Sequence, residues 1–310
     1  MKPLLLVLIA MSDARLALLR ALFDVLYAPD ADRRVQAIAL HGNDVRAVLT
    51  NGTTGLGAAE IDAMPRLTLA CALGAGFENI DIVHARARGV ALANGAGTND
   101  DCVADHAFAL LLAAVRAIPQ FDRACRDGVW RDALPMQPKL AGKRLGILGL
   151  GTIGRQVARR AQGFDMEIGY HNRSPVPGLA HRYAEDARSL AEWSDMLVVA
   201  VPGGAGTRHL VDAVVIDALG PRGYLVNVAR GSVVDTIALA RALREGRIAG
   251  AALDVYESEP RPPGELLGLP NVVLTPHVAG WSPESVDASV QRFLDNARRH
   301  LAGQPVATPI

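Results

Sequence analysis

The chain has 310 residues, half of them apolar and only 5% aromatic, and its 32 basic residues are matched by 32 acidic ones. That length suits two domains with full cores, and a formal charge of zero leaves no electrostatic footprint for a nucleic acid or an anionic membrane. No run approaches the roughly 18 apolar residues of a membrane span, and Cys71, Cys102 and Cys125 have neither the number nor the spacing of a disulfide framework or a metal site, so they read as free thiols in a reducing compartment.

Short apolar runs alternate with helical patterns from the start. Leu4–Ala10 reads as a buried strand rather than an export signal, because the run is short and charges follow at Asp13 and Arg15. The protein is therefore expected to be soluble and cytoplasmic. A helix is predicted over Ala14–Leu26, strands over Ala47–Thr50 and Leu67–Leu73, a turn at Gly74-Ala75-Gly76, a helix over Asp81–Arg88 and a strand over Val90–Ala93. This is the alternation of a parallel α/β sheet. A long helix is predicted over Asp100–Ile118, opened by polar residues suited to capping and apolar enough to be mostly buried. Gly128–Lys143 reads as a connecting loop. A second alternation begins at Arg144, with strands at Leu145–Leu150, Glu167–Tyr170, Met196–Val201, Tyr224–Val228, Ala251–Val255 and Val272–Thr275, and Pro283–Leu301 reads as a closing helix.

Within the second block, Gly149-Leu150-Gly151-Thr152-Ile153-Gly154 follows an apolar run and opens the helical pattern Thr152–Ala161. In that context the first glycine permits a tight turn, the second lets backbone approach a pyrophosphate, and the third lets helix and strand pack closely. The helix N-terminus then faces the phosphates with N–H groups. Cofactor choice is read at the end of the next strand, where an acidic residue would hold the ribose 2′-hydroxyl of NAD. Here the chain continues His171-Asn172-Arg173-Ser174-Pro175, with no carboxylate. Arg173 can pair with a 2′-phosphate, with Asn172 and Ser174 as neutral donors, so NADP(H) is expected in preference to NAD(H). The plain alternative is a surface loop with an incidental arginine.

Three polar residues stand just beyond predicted strands: Arg230 after Leu225–Ala229, Glu259 after Ala252–Tyr256, and His277 after Val272–Pro276. Ligands of open α/β sheets gather beyond the carboxyl ends of the strands. Reduction of a keto acid needs a cation for the carboxylate, which a planar guanidinium provides bidentately, and a proton donor for the carbonyl oxygen, which histidine provides near neutral pH. Arg230 is thus assigned to the substrate, His277 to acid/base work, and Glu259 to orienting and charging His277.

The motifs Gly149–Gly154, Asn227-Val228-Ala229-Arg230-Gly231, Asp254-Val255-Tyr256-Glu257-Ser258-Glu259-Pro260 and Pro276-His277-Val278-Ala279-Gly280, in this order, resemble those of the D-isomer-specific 2-hydroxyacid dehydrogenase family over nearly the whole chain. The resemblance implies two doubly wound parallel-sheet domains. A Rossmann cofactor domain (98–282) would be inserted into a flavodoxin-like substrate domain (1–97 and 283–310), with crossings near Ala96 and Ser282 and closure on substrate. It places a backbone substrate clamp on Leu73-Gly74-Ala75-Gly76, where a mere structural bend is the alternative. It also implies cofactor contacts at Val201, Pro202, Thr207, Val228, Ala229, Arg230, Asp254, His277 and Gly280. Asp254 would hold the nicotinamide carboxamide or orient nearby polar groups, or serve only as a structural cap. Trp281 either lines the substrate pocket or packs.

Within the family, Tyr170–Pro175 is similar to the NADP-dependent glyoxylate, hydroxypyruvate and hydroxyphenylpyruvate reductases. The absence of sequence for a regulatory domain after the tail helix weighs against a phosphoglycerate dehydrogenase. The expected activity is NADPH-dependent reduction of a small 2-keto acid to the D-2-hydroxy acid, the D-isomer coming from the family alone. A homodimer through the cofactor domain and the long helix is likewise a family expectation. The competing readings are an NAD-linked dehydrogenase and a non-catalytic dinucleotide sensor on the same fold.

Overall fold

Runs of Leu, Val and Ala, apolar on successive residues rather than on alternate ones, build two parallel sheets that are covered on both faces. The computed structural model describes residues 2–310. These form two units, one comprising everything up to Asn99 together with Trp281–Ile310, the other Asp100–Gly280.

The first unit runs β1 (Leu4–Val7), α1 (Asp13–Arg20), β2 (Asp24–Tyr27), α2 (Ala31–His41), β3 (Val45–Thr50), α3 (Ala58–Asp62), β4 (Leu69–Ala72), α4 (Ile82–Ala87) and β5 (Ala91–Asn94). Its strands are all parallel in the order β2-β1-β3-β4-β5, the flavodoxin-like winding. Alternate residues of β1 serve opposite faces, as strand geometry requires. Leu6 packs with Ala37, Ile61 and Ala85 of α2–α4. Leu5 and Val7 pack with Leu16 and Leu19 of α1 and with residues near the end of the chain.

The second unit opens with α5 (Asp100–Val115) and α6 (Ile118–Arg126), then runs β6 (Arg144–Leu148), α7 (Thr152–Gln162), β7 (Glu167–His171), β8 (Arg182–Tyr183), α8 (Ala187–Trp193), β9 (Met196–Val199), α9 (Ala213–Leu219), β10 (Tyr224–Asn227), α10 (Thr236–Arg244), β11 (Gly250–Leu253) and β12 (Val272–Leu274). The seven strands lie in the order β12-β11-β10-β9-β6-β7-β8. Six of them follow the dinucleotide-binding order of a Rossmann fold, with β12 added at one edge. One face of this sheet is covered by α5 and α7, the other by α8, α9 and α10. The chain then returns to the first unit as α11 (Pro283–Leu301), whose first turn is capped by the Ser282 hydroxyl and carries Pro at N1. Aspartates cap α2, α4, α8, α9 and α10 in the same way.

Three expectations need correction. The helix predicted over Ala14–Leu26 ends at Arg20, and Asp24–Tyr27 is the edge strand β2 instead. Its burial is only partial and it starts with an exposed aspartate, so it lacks the apolar run of a central strand. The long helix stops at Val115 rather than Ile118. Pro119 has no N–H for the Val115 carbonyl and its ring would clash there, and Ala117 takes a left-handed φ of 51° before α6 begins. Helices α2 and α3 were not anticipated; α2 buries only Ala37 and carries two arginines in its first turns. Among the described residues, no single helix is long and apolar enough to cross a membrane.

Candidate active site

The three glycines of the phosphate turn do three different jobs. Gly149 has φ +99°, and a Cβ there would lie 2.8 Å from the Val201 nitrogen, so the turn can close only on glycine. A Cβ on Gly154 would lie 2.1 Å from the Gly149 carbonyl oxygen, which shows how tightly α7 packs on the turn. At Gly151 a Cβ would meet nothing within 4 Å, leaving backbone open to an incoming group. The N–H groups of Gly151, Thr152 and Ile153 have no acceptor among the described residues. Unpaired N–H groups at the positive end of an eleven-residue helix are an anion cradle, so the residues present fit a dinucleotide pyrophosphate.

At the end of β7, the Asn172 side-chain oxygen accepts the Leu150 N–H at 2.7 Å. Half of that amide is therefore committed to holding the glycine turn, and only its NH2 remains as a donor. Arg173 and Ser174 are exposed and have no partner among the described residues. Past β9, the Thr207 hydroxyl donates to the Pro202 carbonyl at 2.8 Å and shapes the loop there.

The charged residues come from loops after β10, β11 and β12. The Asn227 side chain pins the first of these loops. Its oxygen accepts the Ala229 N–H at 3.0 Å and its NH2 donates to the Arg230 carbonyl at 3.1 Å. Behind Arg230 there is room only for glycine, because a Cβ on Gly231 would sit 1.9 Å from the Tyr256 carbonyl carbon. That close approach brings the Arg230 loop against the loop that carries Glu259. Glu259 receives the Tyr256 N–H at 2.7 Å on one oxygen and His277 Nδ1 at 2.7 Å on the other.

This pair sets the charge of the site. The hydrogen bond to Glu259 raises the His277 pKa above the ordinary imidazole value, against an opposing push from burial. Burial alone would raise the Glu259 carboxyl. The hydrogen bonds from His277 and from the Tyr256 N–H, with the nearby Arg230 charge, outweigh it and hold that carboxyl below its usual value. With Nδ1 engaged, His277 Nε2 has no partner among the described residues.

His277 itself has φ 55°, a left-handed backbone that costs about 1–3 kcal/mol for a non-glycine residue and persists only when its surroundings hold it. Asp254 does much of the holding. It is fully buried, its carbonyl accepts the His277 N–H at 2.8 Å, and its carboxylate accepts the N–H groups of Val278 and Ala279 at 2.9 and 2.8 Å. Of the roles open to it from sequence, the one visible here is orientation of neighbouring polar groups. Tyr256, Thr275 and His106, none of them singled out from sequence, also reach this loop through the Thr275 carbonyl and hydroxyl.

In the first unit, Leu73–Gly76 follows β4. The Asn94 side chain and the Gly95 N–H hold the Ala75 and Gly74 carbonyls at 2.7 and 2.6 Å. The N–H groups of Gly74, Ala75 and Gly76 have no acceptor among the described residues. Trp281 is 74% exposed, so it does not pack into a core of its unit. Cys71 is buried, which pushes its thiol pKa up and leaves it inert.

Residues 108–279 match the family described as D-isomer specific 2-hydroxyacid dehydrogenase, NAD binding domain. A hydroxyphenylpyruvate reductase of Plectranthus scutellarioides is 41% identical over 88% of this chain and 88% of its own length. A glyoxylate/hydroxypyruvate reductase A of Arabidopsis thaliana is 40% identical over 87% of each. An NADPH-dependent glyoxylate/hydroxypyruvate reductase from Sinorhizobium meliloti, solved in complex with NADP and malonate, superposes with a TM-score of 0.91 at 38% identity and covers 100% of this chain and 97% of its own. The chain belongs to the D-isomer specific 2-hydroxyacid dehydrogenase family. It is an oxidoreductase with a nicotinamide-dinucleotide-binding domain.

Proposed function

We propose that this enzyme reduces a small 2-keto acid of the glyoxylate, hydroxypyruvate or arylpyruvate class to the D-2-hydroxy acid, with NADPH preferred over NADH. The observation that carries the reading is the His277–Glu259 pair at 2.7 Å with His277 Nε2 unengaged. The relatives named above support the substrate class, and the NADP-bound relative supports the cofactor.

Bound NADPH supplies the hydride that adds to the keto carbon. His277, kept protonated by Glu259, gives its Nε2 proton to the keto oxygen, and the neutral ring regains a proton from solvent before the next cycle. Arg230 holds the substrate carboxylate. The Gly151–Ile153 N–H groups hold the pyrophosphate. Arg173 and Ser174 recognise the 2′-phosphate, with Asn172 acting mainly by bracing the turn. In this reading the unit around β1–β5 is the substrate domain, and Gly74–Gly76 gives its N–H groups to a carboxylate. The exposed apolar side chains of Ile118, Trp130 and Met136 on the other unit support a homodimer, which sedimentation would test.

The assay follows absorbance of the reduced cofactor with each keto acid. Turnover is expected with NADPH, and R173A is expected to lose roughly 10-fold or more of kcat/KM with NADPH while leaving NADH use unchanged. No turnover with any short keto acid would leave the dinucleotide-sensor reading. Equal effects of R173A on both cofactors would remove Arg173 from 2′-phosphate recognition.

A further inference from the structure

The buried Asp254 carboxylate has a third donor besides the two backbone N–H groups, the Thr275 hydroxyl at 2.6 Å. An ionised carboxylate only accepts, so the single hydroxyl proton of Thr275 is committed to it. The lone pairs of that hydroxyl are then what His106 Nε2 meets at 2.9 Å, and His106 must be the donor. The chain of bonds runs in one direction, from His106 Nε2–H to Thr275 Oγ–H to Asp254, whose carboxylate also lies 3.5 Å from His106 Nε2, and it puts the ring proton of His106 on Nε2. Helix α5, which carries His106, packs on β11 and β12 and lies outside the loops that hold Arg230, Glu259 and His277. His106 touches none of those three.

The loop that this chain of bonds reaches is the strained one. His277, two residues after Thr275, holds its left-handed backbone immediately before the two N–H groups bound by Asp254. A threonine hydroxyl released from His106 can rotate away from Asp254, leaving a buried carboxylate one donor short. From these contacts we infer that His106 is a positioning residue: through Thr275 and Asp254 it fixes the Thr275–Ala279 backbone and so keeps His277 seated on Glu259 with Nε2 free for proton transfer. The inference rests on the reading of His277 as the proton donor.

The test is kinetic, on the full-length enzyme with NADPH and the best keto acid found. H106L is expected to lower kcat about 10-fold, as a slight misplacement of a catalytic group does, with KM for the keto acid and dissociation of NADPH within about twofold of wild type. H106Q, whose amide nitrogen can donate from close to the place of Nε2, is expected to restore most of the rate. T275V breaks the next bond in the chain and should be as slow as H106L, with the double variant no slower than either. T275V also reads the proposal if circular dichroism shows that H106L does not fold. In an H277A background, H106L should leave the residual rate unchanged, because the residue it positions is gone.

The inference is overturned by wild-type kcat in H106L and T275V, by H106Q as slow as H106L, or by the same 10-fold loss on top of H277A. Full turnover in H277A alone is a different failure: it removes the proton-donor reading itself, and this inference with it.

Discussion

At the carboxyl end of β4 the first unit presents Gly74-Ala75-Gly76, a turn of backbone N–H groups with no charged side chain among them. At the carboxyl ends of β10, β11 and β12 the second unit presents Arg230, Glu259 and His277, held by Asn227, Tyr256 and Asp254. Both are ends of doubly wound parallel sheets, where ligands collect. In the proposed function one uses backbone to recognise an anion, the other side chains whose protonation it controls. Substitutions should therefore act differently in the two places. In the second unit they should change chemistry and its pH dependence. In the first, only changes that move the backbone should matter, and they should act on substrate affinity.

The largest expected effect is that of H277A, which removes the proposed proton donor and should lower kcat for keto-acid reduction by on the order of 10²–10⁴. Retention of full kcat across pH would end the contrast at its strongest point. R230A should follow, with kcat/KM for the keto acid down ~10²-fold through the loss of charge-assisted hydrogen bonds to the carboxylate. NADPH dissociation, read by fluorescence, should change little.

E259Q sharpens the comparison through pH. In the proposed mechanism reduction needs protonated His277, and Glu259 raises the pKa of that ring. Wild-type activity should therefore persist to higher pH than a free imidazole allows and fall as pH rises through the raised value. With the carboxylate gone, the fall should move to lower pH, and an unmoved pH–rate profile would deny Glu259 this role.

The smallest effect belongs to the first unit. A Cβ on Gly52 would sit 2.7 Å from the Gly76 carbonyl carbon and so push on the turn. G52A should raise KM for the keto acid about threefold to 10-fold by misplacing the N–H groups, with kcat and NADPH binding nearly unchanged. A drop in kcat with KM intact would argue that the turn does more than bind.

How much of this the sequence carried depended on whether an element owed its form to its own residues. The central strands of the second unit were legible because they are apolar on every residue, and the phosphate turn because each glycine answers a local steric demand. The edge strand β2 was not, since an edge strand needs no continuous apolar run and Asp24 masked its start. The break at Ala117 was announced only by Pro119, two residues further on. Arg230, Glu259 and His277 were visible as polar residues just past strands. The bonds around them were not. The pull of Asn172 toward Leu150 and the burial of Asp254 beneath its own loop depend on which strands become neighbours. His106 stood in a helix read only for its apolar face.

The placement of α11 has a consequence for how the protein comes into being on the ribosome. Val290, Phe293, Leu294 and Ala297 of that helix pack with Leu5, Val7 and Leu49 of the first sheet, and Asn94 at the end of β5 donates its N–H to Thr308. That face of the first sheet thus takes its cover from two places, from Leu16 and Leu19 of α1 nearby and from α11 on the far side of the Asp100–Gly280 unit. The later-made unit, Asp100–Gly280, is contiguous and can close its own cores as it appears. Until α11 is made, Leu5, Val7, Leu49 and Cys71 lack the side chains of Val290, Phe293, Leu294 and Ala297 against them.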